Sequence, residues 1–263
     1  METIRVVIQG ASGNMGRQVI NAVCREPGMQ VVGAIELKPT SAQLKLPEDA
    51  GSVPISANTA SLLESCQPDV LVDFSIAQAT MPTVRTAIEH GVRPVIGTSG
   101  LSAADLAEID RLALAGNIGA VVAPNFALGA VLMIHMAEIA ARYMDNAEII
   151  ELHHDGKVDA PSGTALATAE AMAAARGKPF IAPPQQGDAA SRGKQVSGIA
   201  VHSIRLPGLL AHQEIILGAL GQTLTIRHDS ISRECFMPGV ILAVREIMRR
   251  KGLVFGLDSL LGL

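Results

Sequence analysis

Two adjacent histidines, His153 and His154, are followed by Lys157 and then by Pro161-Ser162-Gly163-Thr164 at the head of an alanine-rich run. An imidazole titrates near neutrality and an ammonium is a compact cation that burial can shift, so His153 or Lys157 can supply a proton. Proline, hydroxyl side chains and glycine before a run of alanines mark a helix start. The exposed amides and the dipole of such an end receive a carboxylate, each interaction worth roughly 0.3–1 kcal/mol. Acid–base groups, a cation and an anion-receptive helix end within one short stretch point to proton chemistry on a small acid. A histidine pair on a strand is often structural, and Pro-Ser-Gly-Thr can serve only as a cap; their occurrence together favours a site. Asp145, Asp155 and Asp159 lie near the histidines, but no HxH, HxxxH or HExxH spacing appears, so no metal is expected.

The elements that must position these groups follow from the flanking sequence. Ile149, Ile150 and Leu152 form an apolar, β-branched run that reads as a buried strand ending in the histidine pair, and Asp155-Gly156 is a turn signal. Successive strand side chains point to opposite faces, so His153 and His154 are expected to take different roles, one at the reacting centre and one flanking it.

At the start of the chain, Ile4–Gln9 is a short apolar strand running into GASGNMGR, with glycines at Gly10, Gly13 and Gly16 and a helical pattern through Val19, Ile20 and Val23. This is the strand, glycine turn and helix that seats a dinucleotide pyrophosphate. Gly10 serves the tight turn, Gly13 the approach of backbone to phosphate, and Gly16 close packing. A second strand, Val31–Ile35, ends at Glu36, 20 positions beyond Gly16, where a carboxylate accepts hydrogen bonds from the adenosine ribose.

Strand and helix then alternate: Asp69–Ser75, Ala77–His90, Arg93–Gly100, Ala103–Ala115 and Gly119–Ala123. The alternation predicts a doubly wound, Rossmann-like parallel sheet, with ligands at the carboxyl ends of its strands. The turns at Gly97-Thr98-Ser99 and Ala123-Pro124-Asn125-Phe126 fall at such ends. After Phe126 the pattern changes. An apolar helix over Leu128–Tyr143 precedes the His-His stretch, and a loop of roughly twenty residues marked by Gly177, Pro179, Pro183, Pro184 and Gly187 follows it, long enough to be mobile or to contact a subunit. Three strand-like runs, Ser197–Leu206, His212–Leu217 and Thr223–His228, predict an antiparallel or mixed sheet in a second, α+β domain, before a helix over Val240–Lys251 and a leucine-rich tail.

Composition narrows the classes. Aromatic residues are 2% with no Trp, which argues against base-stacking platforms, and a net charge of −4 gives no basic field for nucleic acid. Cys24, Cys66 and Cys235 are odd in number and lack CxxC spacing, as expected of thiols in a reducing cytoplasm. The uncharged run from Gly116 to Ile134 approaches spanning length, but Pro124-Asn125 splits it; it reads as strand, turn and core helix, with no membrane role.

The stretch EIIELHHDGKVDAPSGTA resembles the signature of the 4-hydroxy-tetrahydrodipicolinate reductase (dihydrodipicolinate reductase) family, through Glu151, His153, Lys157, Asp159 and Pro161 to Thr164. The likeness extends over essentially the whole chain, through GASGNMGR, DFS at Asp73 to Ser75, GTSG at Gly97, APNF at Ala123 and HDSISR at His228. The resemblance implies a dinucleotide domain over 1–126 plus 237–263 and a substrate and oligomerisation domain over 127–236. It implies a homotetramer assembled through the substrate-domain sheets and a small dicarboxylate substrate of lysine and diaminopimelate biosynthesis. By similarity, His153 is the catalytic acid/base, Lys157 is the proton donor, and His154, Ser162, Gly163 and Thr164 hold the substrate's carboxylates. Gly10, Ala11, Ser12, Gly13, Asn14, Met15, Glu36, Gly97, Thr98, Ser99, Ala123, Pro124, Asn125 and Phe126 line an NADH or NADPH cofactor.

One departure bears on that cofactor. Family members often follow the ribose acid with a basic residue for the 2′-phosphate of NADP; here Leu37 takes that place and Lys38 comes next, while Ile76 follows DFS where some relatives carry arginine. Glu36 favours NADH, and Lys38 and Arg17 remain as cations for NADPH, so use of both is expected without a firm preference. Two rivals stand beside this reading: another nicotinamide oxidoreductase acting on an amino acid or semialdehyde, and a dinucleotide-sensing regulator without turnover.

Overall fold

The computed structural model describes residues 3–184, 187 and 189–263. The chain divides into two compact units, Met1–Leu128 with Phe236–Leu263, and Gly129–Cys235.

The first unit is built on β1 (Ile4–Gln9), α1 (Asn14–Arg25), β2 (Met29–Ile35), β3 (Gln43–Lys45), β4 (Ser52–Ser56), α2 (Thr59–Cys66), β5 (Val70–Asp73), α3 (Ala77–Glu89), β6 (Arg93–Ile96), α4 (Ala103–Ala115) and β7 (Gly119–Val122). Its sheet has the order β13-β7-β6-β5-β1-β2-β4-β3, the first strand, Gly252–Phe255, coming from the end of the chain. All pairings are parallel except β3 with β4. Parallel strands covered on both faces need continuous apolar runs, and Val6, Val7 and Ile8 are fully buried accordingly. Strand order reverses at β1, which lies between β2 and β5, so a crevice opens beyond its carboxyl end.

The second unit is organised by α5 (Leu128–Ala141), β8 (Asn146–His153), α6 (Gly163–Arg176), β9 (Lys194–Val196), β10 (Ile199–Arg205), β11 (Ala211–Ala219) and β12 (Gln222–Ser230). Its sheet runs β12-β11-β8-β10-β9 and is mixed: β10 pairs with β8 in parallel, the other pairs are antiparallel. β8 alternates, sending Ala147, Ile149 and Glu151 to the face packed by Met133, Ala137, Ala165, Ala169 and Met172 of the two helices. Burying a side chain such as Ile149 is worth roughly 1.5–3 kcal/mol. Glu151 occupies the third position of that apolar series and is also fully buried.

The chain then returns to the first unit through α7 (Met237–Ile247), β13 (Gly252–Phe255) and α8 (Asp258–Leu261). Several expectations needed correction. The segment between Glu36 and Asp69 holds β3, β4 and α2, and the leucine-rich tail holds β13 and α8. The helix expected over Val240–Lys251 starts at Met237 and ends at Ile247. The loop expected after Gly177 contains the turn Ala189–Arg192, and Gln185, Gln186 and Asp188 within it lie outside the described residues. The run from Gly116 to Ile134 is divided between β7 and α5, and no described helix is long and apolar enough to cross a membrane.

Candidate active site

In the first unit, β1 ends in a left-handed residue, Gly10, at φ +75, where a Cβ would lie 2.8 Å from the Phe74 carbonyl oxygen. Gly13 caps α1 and its amide donates to the Gly10 carbonyl at 3.0 Å. A Cβ on Gly16 would fall on the Gly10 carbonyl oxygen and 2.7 Å from the Ala11 Cα. Gly16 therefore lets the first helical turn close on the glycine turn that precedes it. That cradle suits a dinucleotide pyrophosphate, with the amides of α1 facing the phosphates.

A cleft of about 470 Å³ lies beside this turn, lined among others by Gly10, Ser12, Gly13, Glu36, Phe74 and Ser75. The Ser12 amide donates to Glu36 Oε1 at 2.5 Å, so Glu36 and the glycine turn touch directly. Ala11 is buried, while Asn14 and Met15 open α1. The remaining expected residues sit at the ends of neighbouring strands. Gly97 follows β6, where a Cβ would overlap the Phe74 ring, and the Thr98 hydroxyl accepts from the Ser75 amide at 3.0 Å, with Ser99 next in the turn. Ala123 to Phe126 follow β7; Asn125 Oδ1 accepts from the Ala127 amide at 2.9 Å, and the Phe126 ring tilts against Phe74 with centroids 5.6 Å apart. Phe74, a side chain the sequence did not single out, thus links the two turns. Gln9 Oε1 and Ser75 Oγ, from two residues that line the cleft, are buried without partners among the described residues, which fits a polar ligand there.

In the second unit, β8 ends at His153, and its carbonyl accepts from the Leu206 amide at 3.1 Å. His154 lies outside the strand, and its carbonyl accepts from the Lys157 amide at 3.2 Å. Strand alternation therefore does not separate the two histidines; the Asp155-Gly156 turn begins one residue too early for it. Lys157 Nζ pairs with Asp159 Oδ1 at 2.8 Å. The Ala160–Pro161 bond is cis, and Ser162 is the N-cap of α6, its hydroxyl accepting from the Ala165 amide at 3.2 Å. Gly163 and Thr164 open the helix, so their amides have no intrahelical acceptor.

Glu151 ties these parts together. Its Oε2 meets His153 Nδ1 at 2.5 Å and its Oε1 accepts from the Ser162 amide at 3.1 Å. Arg205 closes on both oxygens, at 2.9 and 2.8 Å, and also donates to the Asp159 carbonyl at 2.6 Å. Burial alone would push the Glu151 carboxyl up; hydrogen bonds from Arg205, Ser203 and His153 outweigh it and hold the acid below its usual range. Burial, with the positive charges of Lys157 and Arg205, holds the His153 imidazole below its ordinary value, against the pull of Glu151. Arg205 was not legible from spacing: it reaches the site only through the parallel register that sets it opposite His153. Among the described residues, no group of three or more His, Cys, Asp or Glu side chains could hold a metal ion.

Comparison with known proteins places this arrangement. The chain matches the family models described as "Dihydrodipicolinate reductase, N-terminus" over residues 4–126 and "Dihydrodipicolinate reductase, C-terminus" over 129–261. It is 53% identical to a 4-hydroxy-tetrahydrodipicolinate reductase of Dehalococcoides mccartyi, covering 100% of both chains. It is 50% identical to the enzyme of that name from Moorella thermoacetica, covering 98% of each. A dipicolinate-bound dihydrodipicolinate reductase from Paenisporosarcina sp. TG-14 superposes with a TM-score of 0.88 at 40% identity, over 98% of this chain and 99% of that one. With its glycine turn and His-His-x-x-Lys stretch on the same two-unit architecture, the chain belongs to the dihydrodipicolinate reductase family.

Proposed function

We propose that this chain reduces 4-hydroxy-tetrahydrodipicolinate to tetrahydrodipicolinate, a step of lysine and diaminopimelate biosynthesis, with a reduced nicotinamide dinucleotide. The observation that carries this reading is the meeting of His153 and the start of α6 on the buried Glu151 carboxylate, with Lys157 paired to Asp159 in the turn between them, in a chain of this family. The cofactor supplies the hydride when bound; the chain's own residues bind, orient and protonate.

In the first unit, the amides from Gly10 to Met15 hold the pyrophosphate, and Glu36 takes the ribose hydroxyls in place of the Ser12 amide it now binds. Gly97, Thr98, Ser99 and Ala123 to Phe126 border the nicotinamide end. Leu37, 67% exposed, offers no cation, so a 2′-phosphate relies on Lys38 or Arg17 and both coenzymes are used. In the second unit, the amides of Gly163 and Thr164 with the Ser162 cap receive one substrate carboxylate and His154 flanks another. Lys157 and His153 serve the proton transfer, a contribution of about 10²–10⁴-fold for a positioned group.

The chain works as a homotetramer in the cytoplasm. Ile150, Leu152, Ile204 and Ile216 lie on the sheet face opposite the helices, and Ile204 is 41% exposed, as a face that pairs with another copy would be. Cys24, Cys66 and Cys235 are unpaired, which suits a reducing compartment.

The test is coenzyme oxidation in the presence of 4-hydroxy-tetrahydrodipicolinate, with NADH and NADPH in parallel. Turnover with both is expected. No turnover with either overturns the function, and a preference above about a hundredfold for one, ~2.7 kcal/mol, overturns dual use.

A further inference from the structure

We propose that Glu151 is a positioning residue: it fixes His153 as the neutral Nδ1–H tautomer with Nε2 as an acceptor. The proposal rests on the reductase reading above, in which the family resemblance gives Lys157 as the proton donor, and it adds what holds His153 in its acceptor state.

The geometry leaves little choice. Five donors converge on the Glu151 carboxylate: the Ser162 amide and one Arg205 nitrogen on Oε1, His153 Nδ1 and the other Arg205 nitrogen on Oε2, and the Ser203 side chain. A backbone amide and a guanidinium are obligate donors, so a proton on either oxygen would face a donor. The carboxylate is therefore ionised, and His153 Nδ1 must carry the hydrogen that it shares with Oε2. This could still be an imidazolium, and here the charges decide. The charged groups that bear on His153 are Glu151 on its own strand, Arg205 on β10 and Lys157 on the following turn. Arg205 already neutralises Glu151 through a bidentate pair, so the carboxylate directs the ring without supplying a net negative charge to sustain a second cation. Glu151 is fully buried and the His153 side chain is 15% exposed, so a further cation between Lys157 and Arg205 would pay desolvation as well as repulsion.

An Nδ1–H imidazole has a lone pair at Nε2, which has no partner among the described residues. Such a ring accepts a hydrogen bond and cannot release a proton from Nε2. Lys157 can. It carries three hydrogens, and its backbone is fixed by the His154 carbonyl. The step then balances: the 4-hydroxyl leaves as water with a hydrogen of the neighbouring ring carbon. A C–H bond forms at the unsaturated carbon as it takes the hydride from the reduced coenzyme, and the electron pair displaced within the substrate takes a proton. That proton leaves Lys157 Nζ as its N–H bond breaks, and the neutral amine recovers one from water. His153 Nε2 meanwhile accepts from an O–H or N–H of the substrate. Glu151 also holds the Ser162 amide, so one carboxylate sets the imidazole and the carboxylate-binding helix end in a common frame.

The imidazole ¹⁵N resonances of the coenzyme-free protein, assigned with a His153→Asn variant, test the tautomer without any turnover. At neutral pH, a protonated Nδ1 and an unprotonated Nε2 are expected; an imidazolium or an Nε2–H ring overturns the proposal. In Glu151→Gln, the Ser162 amide and one Arg205 nitrogen still demand an oxygen, so the side-chain NH₂ takes the place of Oε2, gives up the other Arg205 nitrogen, faces His153 Nδ1 and turns the ring to Nε2–H. The expected kinetic result is a kcat lower by about ten- to a hundredfold, the effect of losing an outer partner of a functional histidine, with the coenzyme KM unchanged. A Glu151→Gln variant with the wild-type tautomer and kcat overturns the proposal. Should that variant fail to fold, the wild-type spectrum decides alone. A wild-type protein that shows the expected spectrum but no reduction would sink the functional reading and leave the tautomer assignment standing.

Discussion

Arg205 stands opposite His153 in the parallel register of β10 and β8, and both side chains close on the same Glu151 carboxylate. A cation from a strand 52 residues along the chain from His153 thus completes a site whose other members fall between Glu151 and Thr164. Around this carboxylate the second unit makes its fold and its chemistry from the same contacts.

Removing the guanidinium should therefore cost stability as well as rate. Arg205→Met leaves the Glu151 carboxylate buried without its paired guanidinium, and a broken buried pair costs roughly 3–5 kcal/mol. Denaturant unfolding should show a loss of that order at neutral pH. The double variant Arg205→Met, Glu151→Gln should lose less than the sum of the singles, because the uncompensated charge is gone. Strict additivity would mean that the two residues do not act as a pair.

The pH dependence follows from the same cluster, with a definite sign. Glu151 and His153 are both held below their ordinary values of 4.5 and 6.5, so the unfolded chain binds protons more readily than the native one at each group. The His153 contribution to stability is present above pH 6.5 and is lost as pH falls through its lower native value; the Glu151 contribution follows below pH 4.5. The acid limb of kcat/KM assigned to His153 should accordingly fall below pH 6.5, and Arg205→Lys, which breaks the bidentate pair, should move it upward. A wild-type limb centred above 6.5 would contradict the neutral imidazole.

In the first unit the informative change is Gly16→Ala. The new methyl would meet the Gly10 carbonyl and lie 2.7 Å from the Ala11 Cα, both backbone, so the glycine turn must shift. Coenzyme binding should weaken at least about tenfold, or ~1.4 kcal/mol. Gly163→Ala is the contrast: a Cβ there meets nothing within 4 Å and the amide is retained, so carboxylate binding should change little. Equal effects of the two substitutions on coenzyme affinity would remove the glycine turn from the binding site.

Much of this was legible before any coordinates. Gly10, Gly13 and Gly16 make the tight turn, the helix cap and the close packing that their spacing suggests, and Ser162 before an alanine run behaves as the cap it suggests. β3, β4 and α2 were missed because β3 has three residues, β4 has five with Pro54 among them, and α2 spans only eight. Such short elements carry no readable period. β13 hid in a tail that composition alone describes, although its parallel pairing with β7 extends the sheet. The role of Arg205 was out of reach for a different reason, since strand pairing brings it to His153 and no spacing encodes that register. His154 was misplaced by one residue, because the turn at Asp155-Gly156 ends β8 at His153.

The most direct test of the account is the fate of an isotope. With deuterium at carbon 4 of the reduced nicotinamide and 4-hydroxy-tetrahydrodipicolinate in ordinary water, the tetrahydrodipicolinate formed should carry the deuterium on the reduced carbon. Wild-type protein should do this at full rate, and Lys157→Ala should bind coenzyme normally while turnover collapses by about 10²–10⁴-fold. Label lost to the solvent, or a Lys157→Ala variant that turns over normally, would contradict it.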